Sequence, residues 1–254
     1  MTEIDAFSLT TVPVEQLANG TPMKSATAFV WKHGSQHYLI TNWHVVTGRN
    51  AYTGKQETPA APDMLRCLFN VRVGDFGKQQ WDIRIRDDDH KPLWLIRSGM
   101  GRSVDVVAIP IPMTGNEPIM NLYPINALLS KPLKTTIGMD VFILGYPFGN
   151  APPAFPVWKR GSIASEPDLV RMTTGYYLVD TASRPGMSGA PVILRDWTNN
   201  YVDGSMRAFN DRPATNFLGV YSGRMRAASD EAQIGLVWHA SFIDEIIIGN
   251  KRDD

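Results

Sequence analysis

Short apolar runs recur along this chain, most of them alternating apolar with polar residues and divided from one another by Gly, Pro, Asn and Asp. A period of two places every second side chain on one face of an extended segment, the pattern of a half-buried β-strand. The first half of the chain predicts strands at 27–31, 38–41, 65–73, 81–86, 93–96 and 104–110. The second half predicts strands at 140–144, 157–165, 176–180, 190–194, 216–221 and 234–238. Residues 113–133 read as a connector with one helical turn at 126–129. Helical apolar spacing stands out at 241–248, where Ser241 is a candidate N-cap. The 18 prolines argue against long helices elsewhere. Strands without alternating long helices exclude a doubly wound α/β fold, so the expected class is all-β.

With 254 residues, 43% of them hydrophobic, the chain is long enough for one large domain or two small ones around real cores. Its 25 basic and 25 acidic side chains balance, which removes any electrostatic case for nucleic acid or an anionic membrane as the main partner. No apolar window reaches the ~18 residues of a bilayer span, so no membrane role is expected. Glu3 and Asp5 stand where a secretory leader carries bases, and no apolar stretch follows them. Cys67 is the sole cysteine, which precludes an internal disulfide and suits a reducing compartment. A cytoplasmic location is expected on both counts. Cys67 alternates with Leu65, Phe69, Val71 and Val73, so it is expected to be a buried strand residue rather than a reactive thiol.

Candidate chemistry concentrates in three segments. Gly186-Met187-Ser188-Gly189-Ala190-Pro191 holds a serine between two glycines just before an apolar run. A serine hydroxyl is a poor nucleophile and needs both a base and a pocket for the oxyanion it generates. Gly186 lets the backbone turn so that N–H groups converge, and Gly189 leaves room around the hydroxyl. Upstream, an apolar run through Leu39-Ile40-Thr41 ends at His44, and Val104-Asp105-Val106-Val107 sets a lone carboxylate among apolar residues, where it is costly unless paired. Asp87-Asp88-Asp89-His90 has the composition of a metal cluster but no recognised ligand spacing; a solvated hairpin loop is expected there and no metal site.

The order His, Asp, Ser is that of chymotrypsin-type hydrolases, and the segments 39–46, 104–109 and 186–191 resemble the three triad motifs of trypsin-like serine peptidases. The flavour is bacterial: 141–149 is also similar to the strand and loop that open the second barrel of high-temperature-requirement proteases. Further on, 217–223 resembles the strand that binds substrate backbone, and 235–240 the strand that follows it. The resemblance runs over about 25–250 and implies a chymotrypsin-like fold of two six-stranded antiparallel β-barrels with a short C-terminal helix. Residues 1–25 would then be an N-terminal extension. Residues 26–118 would form the first barrel with His44 and Asp105, and 119–254 the connector, the second barrel with Ser188 and the helix.

The same resemblance implies a serine endopeptidase acting on protein or peptide substrates through an acyl-enzyme, with no cofactor. Ser188 would be the nucleophile, His44 the base and Asp105 the group that orients it, with the N–H groups of Gly186 and Ser188 as the oxyanion hole. Ser222 would hydrogen-bond Asp105 and lend its carbonyl to substrate backbone. The pocket for the side chain before the scissile bond would have walls from Ala182, Ser183, Arg184 and Pro185, from Ser222, Gly223 and Arg224, and from Gly235. Ala182 stands where basic-selective trypsins carry an acid, which disfavours Lys or Arg there and leaves a small or medium apolar residue as the expectation. Arg224, with Ser183 and Arg226, supports an acidic preference as the alternative. Met187 replaces the aspartate that a newly cut N-terminus engages in animal trypsins, so no such activation is expected. Only 249–254 follow the last helix, so regulation is expected from the first 25 residues, the loops or a partner protein. The rival readings are an inactive trypsin-like fold serving as a peptide-binding or scaffold module, and an esterase of the same fold.

Overall fold

The computed structural model describes residues 4–72, 75–113, 120–128, 133–147, 149, 155–182, 184–196, 200–202, 205–207, 213–225 and 233–253. Among the described residues, seven strands precede the connector: β1 (Thr11–Ala18), β2 (Thr21–His33), β3 (Gln36–Thr41), β4 (Met64–Arg72), β5 (Asp75–Arg84), β6 (Leu95–Ile96) and β7 (Val107–Pro110). The connector is followed by β8 (Asp140–Gly145), β9 (Val157–Ile163), β10 (Tyr176–Asp180), β11 (Pro191–Asp196), the β12 (Asn200–Val202) and β13 (Ser205–Arg207) hairpin, β14 (Ala214–Arg224), β15 (Ile234–His239) and a terminal β16 (Lys251–Arg252). The helices are short: α1 (Ala6–Thr10), α2 (Trp43–Thr47), α3 (Pro167–Met172) and α4 (Ser241–Gly249).

Six strands of the second half close into a barrel in the order β10-β15-β14-β11-β8-β9. They are the six that the alternation predicts, each displaced by at most a few residues. The first half forms an eight-stranded sheet, ordered β16-β6-β7-β3-β2-β1-β4-β5, in place of the expected six-stranded barrel. One added strand is β1, from the segment expected to be an extension. It pairs with β2 and β4, through Val14 opposite both Ala26 and Cys67. Pro13, Glu15 and Gln16 interrupt its alternation; Gln16 is nevertheless buried because its side-chain amide donates to the Val45 carbonyl at 2.6 Å. The other addition, β16, is two exposed cations paired with β6. Asp253 anchors it by accepting the indole N–H of Trp43 at 2.7 Å and of Trp94 at 3.1 Å.

The predicted strand at 104–110 begins only at Val107, because Asp105 leaves the ladder to accept bonds from α2. The connector's helical turn is a 3-10 turn over Ile125–Ala127. On α4 the N-cap is Ala240, and the Ser241 N–H goes to His239 Nδ1 at 3.1 Å. Phe242, Ile243, Ile246 and Ile247 bury one face of that helix. This face joins Phe29, Ile40 and Ala108 of the sheet and Phe217, Val220 and Trp238 of the barrel in one apolar core. At its centre the rings of Phe29 and Phe217 meet edge to face at 5.5 Å. The core locks sheet and barrel together, and the cleft opens along their seam. Cys67 is fully buried, and burial pushes its thiol far above the ordinary value.

Candidate active site

The histidine is placed by a turn that ends β3. Asn42 is the N-cap of α2, and its side-chain amide donates to the Asp105 carbonyl at 2.7 Å. Gly48, left-handed at φ 67°, ends the helix one turn later. His44 is thereby carried against the loop before β7. Its backbone N–H donates to Asp105 Oδ1 at 2.9 Å, and its Nδ1 lies 2.7 Å from Oδ2. The Ser222 hydroxyl, on β14, also donates to Oδ2. The Asp105 side chain is only 4% exposed, so these bonds offset the cost of burying its charge. A carboxylate acceptor fixes the proton of neutral His44 on Nδ1 and leaves Nε2 as the nitrogen able to receive one. Burial pushes the imidazole pKa down, but the field and hydrogen bond of Asp105, with the nearby Glu57 charge, outweigh it despite the opposing Lys24. His44 is left above its ordinary 6.5.

The serine is placed through backbone. Gly186 and Gly189 are left-handed at φ 93° and 83°. A Cβ at Gly186 would collide with the Tyr146 carbonyl oxygen, and one at Gly189 with the Thr27 carbonyl oxygen and Thr41 Oγ1. Both positions therefore need glycine. Gly189 donates to the Tyr221 carbonyl at 2.8 Å. Thr27, on β2, ties the loop to the sheet: its N–H donates to the Ser188 carbonyl at 2.8 Å and its hydroxyl to the Gly186 carbonyl at 2.8 Å. Tyr146 N–H donates in turn to Thr27 Oγ1 at 3.0 Å. Met187 is buried in the barrel core, beneath the loop and against Gly145.

His44, Asp105 and Ser188 line a single cleft of about 860 Å³ with Arg184, Pro185, Gly186, Ser222, Gly223 and Arg224. Among the described residues the Ser188 hydroxyl makes no hydrogen bond to His44, and the N–H groups of Gly186 and Ser188 donate to no protein acceptor. Ala182 and Gly235 do not line the cleft. Ser183 and Arg226 lie outside the described residues. Lys24, Tyr52, Glu57 and Thr27 are the neighbours that sequence reasoning missed. Three of them reach the cleft from loops or strand ends far from any motif, and Thr27 looks like an ordinary strand residue. The Asp87 carboxylate accepts the backbone N–H of Asp89 at 3.0 Å and of Lys91 at 2.8 Å, as a hairpin loop requires. Among the described residues no three His, Cys, Asp or Glu side chains cluster as a metal site would, and no helix is long and apolar enough to cross a membrane.

Residues 26–198, more than half of the chain, match the family model of the trypsin-like peptidase domain. The chain belongs to that family. No curated protein sequence matches it significantly. Solved structures extend the likeness at the level of fold. A serine endoprotease from Yersinia pestis is 12% identical with a TM-score of 0.54, covering 95% of this chain and 62% of its own. The HtrA-type protease AlgW with a tripeptide is 14% identical with a TM-score of 0.54, covering 95% and 60%. The Rv3671c protease from M. tuberculosis in its active form is 18% identical with a TM-score of 0.51, covering 98% and 84%. The closed barrel, the second sheet and the seam between them fit the chymotrypsin-like fold of trypsin-like peptidases.

Proposed function

We propose that this trypsin-like peptidase is a serine endopeptidase that hydrolyses protein or peptide substrates through an acyl-enzyme on Ser188. Ser188 Oγ attacks the carbonyl carbon while His44 Nε2 takes its proton, and Asp105 stabilises the imidazolium that forms. The N–H groups of Gly186 and Ser188, which donate to no other described residue, are available to the oxyanion. Such donors are worth about 3 to 4 kcal/mol each in a comparable protease. Collapse of the tetrahedral intermediate expels the amine, which takes the proton back from His44. Water then repeats the sequence on the ester and frees Ser188. The chain's own residues carry every proton transfer in this scheme.

One observation carries the reading: a buried carboxylate that accepts both the backbone and the ring N–H of a single histidine, in the cleft that holds a serine between two left-handed glycines. The missing Ser188–His44 bond favours a second reading, an inactive fold that binds peptides in the same cleft, although catalytic bonds often close only around substrate. Intact-mass measurement after treatment with a fluorophosphonate separates the two. The peptidase gains one phosphonyl group that Ser188→Ala does not; a chain that stays unmodified is the binding module.

A further inference from the structure

We propose that Tyr221 sets the substrate preference of this cleft. Its ring fills the space into which the side chain before the scissile bond would otherwise sink, and so restricts that position to small residues such as Ala or Ser. The inference rests on the peptidase reading above. By family resemblance that space runs from Ser222 and Arg224 down to Gly235. In this chain, a Cβ built at Gly235 would stand 2.6 Å from Tyr221 Cε2 and 3.1 Å from Tyr221 Oη, with Val179 Cγ2 at 3.1 Å. The ring therefore lies directly on Gly235, and only a glycine there leaves room for it. Tyr221 is 1% exposed and belongs to the apolar core of the barrel with Val179 and Val237. The cleft reaches Tyr221 but, among the described residues, reaches neither Gly235 nor Ala182.

The ring cannot easily step aside, because it is close-packed in the apolar core of the barrel and its backbone is held in the strand beside Gly189. Tyr221 N–H donates to the Ala190 carbonyl at 2.8 Å, and its carbonyl accepts the Gly189 N–H at 2.8 Å. A Leu or Phe entering the pocket would have to displace a close-packed aromatic ring, whereas a methyl or hydroxymethyl group demands the least displacement. Arg224 stays exposed at the mouth, where a charge is hydrated and discriminates weakly. Steric closure by Tyr221, rather than the arginine, therefore governs selection.

The test uses the whole chain and a series of peptidyl diphenyl phosphonates that differ only in the side chain beside phosphorus: Ala, Val and Phe. Each labels by forming a Ser188 Oγ–P bond and expelling phenol. The wild type is expected to react with the Ala member at least about 10-fold faster than with the Phe member, the scale at which a closed apolar pocket discriminates. Tyr221→Val should shift the Ala-to-Phe ratio by about 10-fold or more toward Phe. Tyr221→Leu, which keeps more core volume, is the second variant, with folding of both checked by thermal unfolding. A wild type that reacts equally with Ala and Phe, or a ratio unchanged in whichever variant folds, overturns the proposal. If neither variant folds, the wild-type ratio decides alone. Reaction with an unselective fluorophosphonate but preference for Phe refutes the role of Tyr221 only, whereas no reaction with any probe refutes the peptidase reading itself.

Discussion

His44 and Asp105, on the turns that border the first sheet, meet through their side chains at 2.7 Å, whereas Ser188, on the barrel side, is held only by its backbone, with a 2.8 Å bond from Thr27 N–H to its carbonyl. The difference follows from charge. An ionised carboxylate buried at the seam must be partnered in the folded chain, so the orienting half of the site is built in advance. A neutral hydroxyl facing an open cleft loses little by waiting. What must be fixed around it is the backbone, because in the proposed mechanism the oxyanion donors are peptide N–H groups whose direction no side chain can correct. Thr27 supplies that fixation from the opposite sheet, so each half of the cleft is completed by the other: Ser222 of the barrel reaches Asp105, and Thr27 of the sheet reaches Gly186.

The largest break in this comparison comes from removing the proposed nucleophile. Ser188→Ala should lower peptide hydrolysis by on the order of 10⁶, roughly 8 kcal/mol of transition-state stabilisation. Its melting temperature should stay unchanged, since the hydroxyl makes no bond among the described residues. Asp105→Asn should cost roughly 10⁴ by reversing the tautomer that leaves Nε2 free. Turnover assays with matched thermal melts check both. Activity of Ser188→Ala within tenfold of the parent would mean that another group attacks.

Thr27→Val keeps the shape but removes the hydroxyl that links the halves, leaving the Gly186 carbonyl and the Tyr146 N–H without that partner. The expected loss is about 1 to 3 kcal/mol in stability, from a buried polar group left unpaired. Turnover should fall by up to about 10²-fold, the cost of a nucleophile misplaced by an ångström. Urea melts and kcat on one peptide measure the two effects; a variant with unchanged kcat would show that Ser188 needs no staple from the sheet.

How far the sequence foretold this arrangement depends on how local each signal was. The six barrel strands were legible because alternation and turn residues mark each one within a few positions. β1 was not, since Pro13 and Glu15 break its pattern and Gln16 is buried only by virtue of a bond to Val45, 29 residues away. β16 was illegible for the same kind of reason: one lysine and one arginine do not announce a strand, and Asp253 finds its indole partners only in the folded chain. At the site, His44, Asp105, Ser188 and Ser222 sit in short stretches whose chemistry is readable in place. Thr27, Glu57 and Lys24 gain their relation to His44 and the serine loop entirely from tertiary contacts. Tyr221 reads as a plain strand aromatic until its ring is seen lying on Gly235.

The smallest expected effect concerns the charges around His44. Glu57 raises and Lys24 lowers the His44 pKa, so Glu57→Gln should move the midpoint of the kcat/KM rise to lower pH and Lys24→Gln should move it higher. Midpoints that move the other way would place those side chains elsewhere in solution. The raised value also links to stability. The charged His44–Asp105 pair stabilises the fold fully below pH 6.5, and that contribution is lost as pH climbs through the higher folded value.

The most direct test of a serine activated by a pre-built His–Asp pair is the rate at which a fluorophosphonate modifies Ser188 as a function of pH, from about 5 to 9, in the wild type and in Asp105→Asn. The wild-type rate should climb through a single midpoint above 6.5 to a plateau, and Asp105→Asn should lose most of that plateau. A wild-type rate independent of pH, or a plateau that Asp105→Asn shares, would contradict the account.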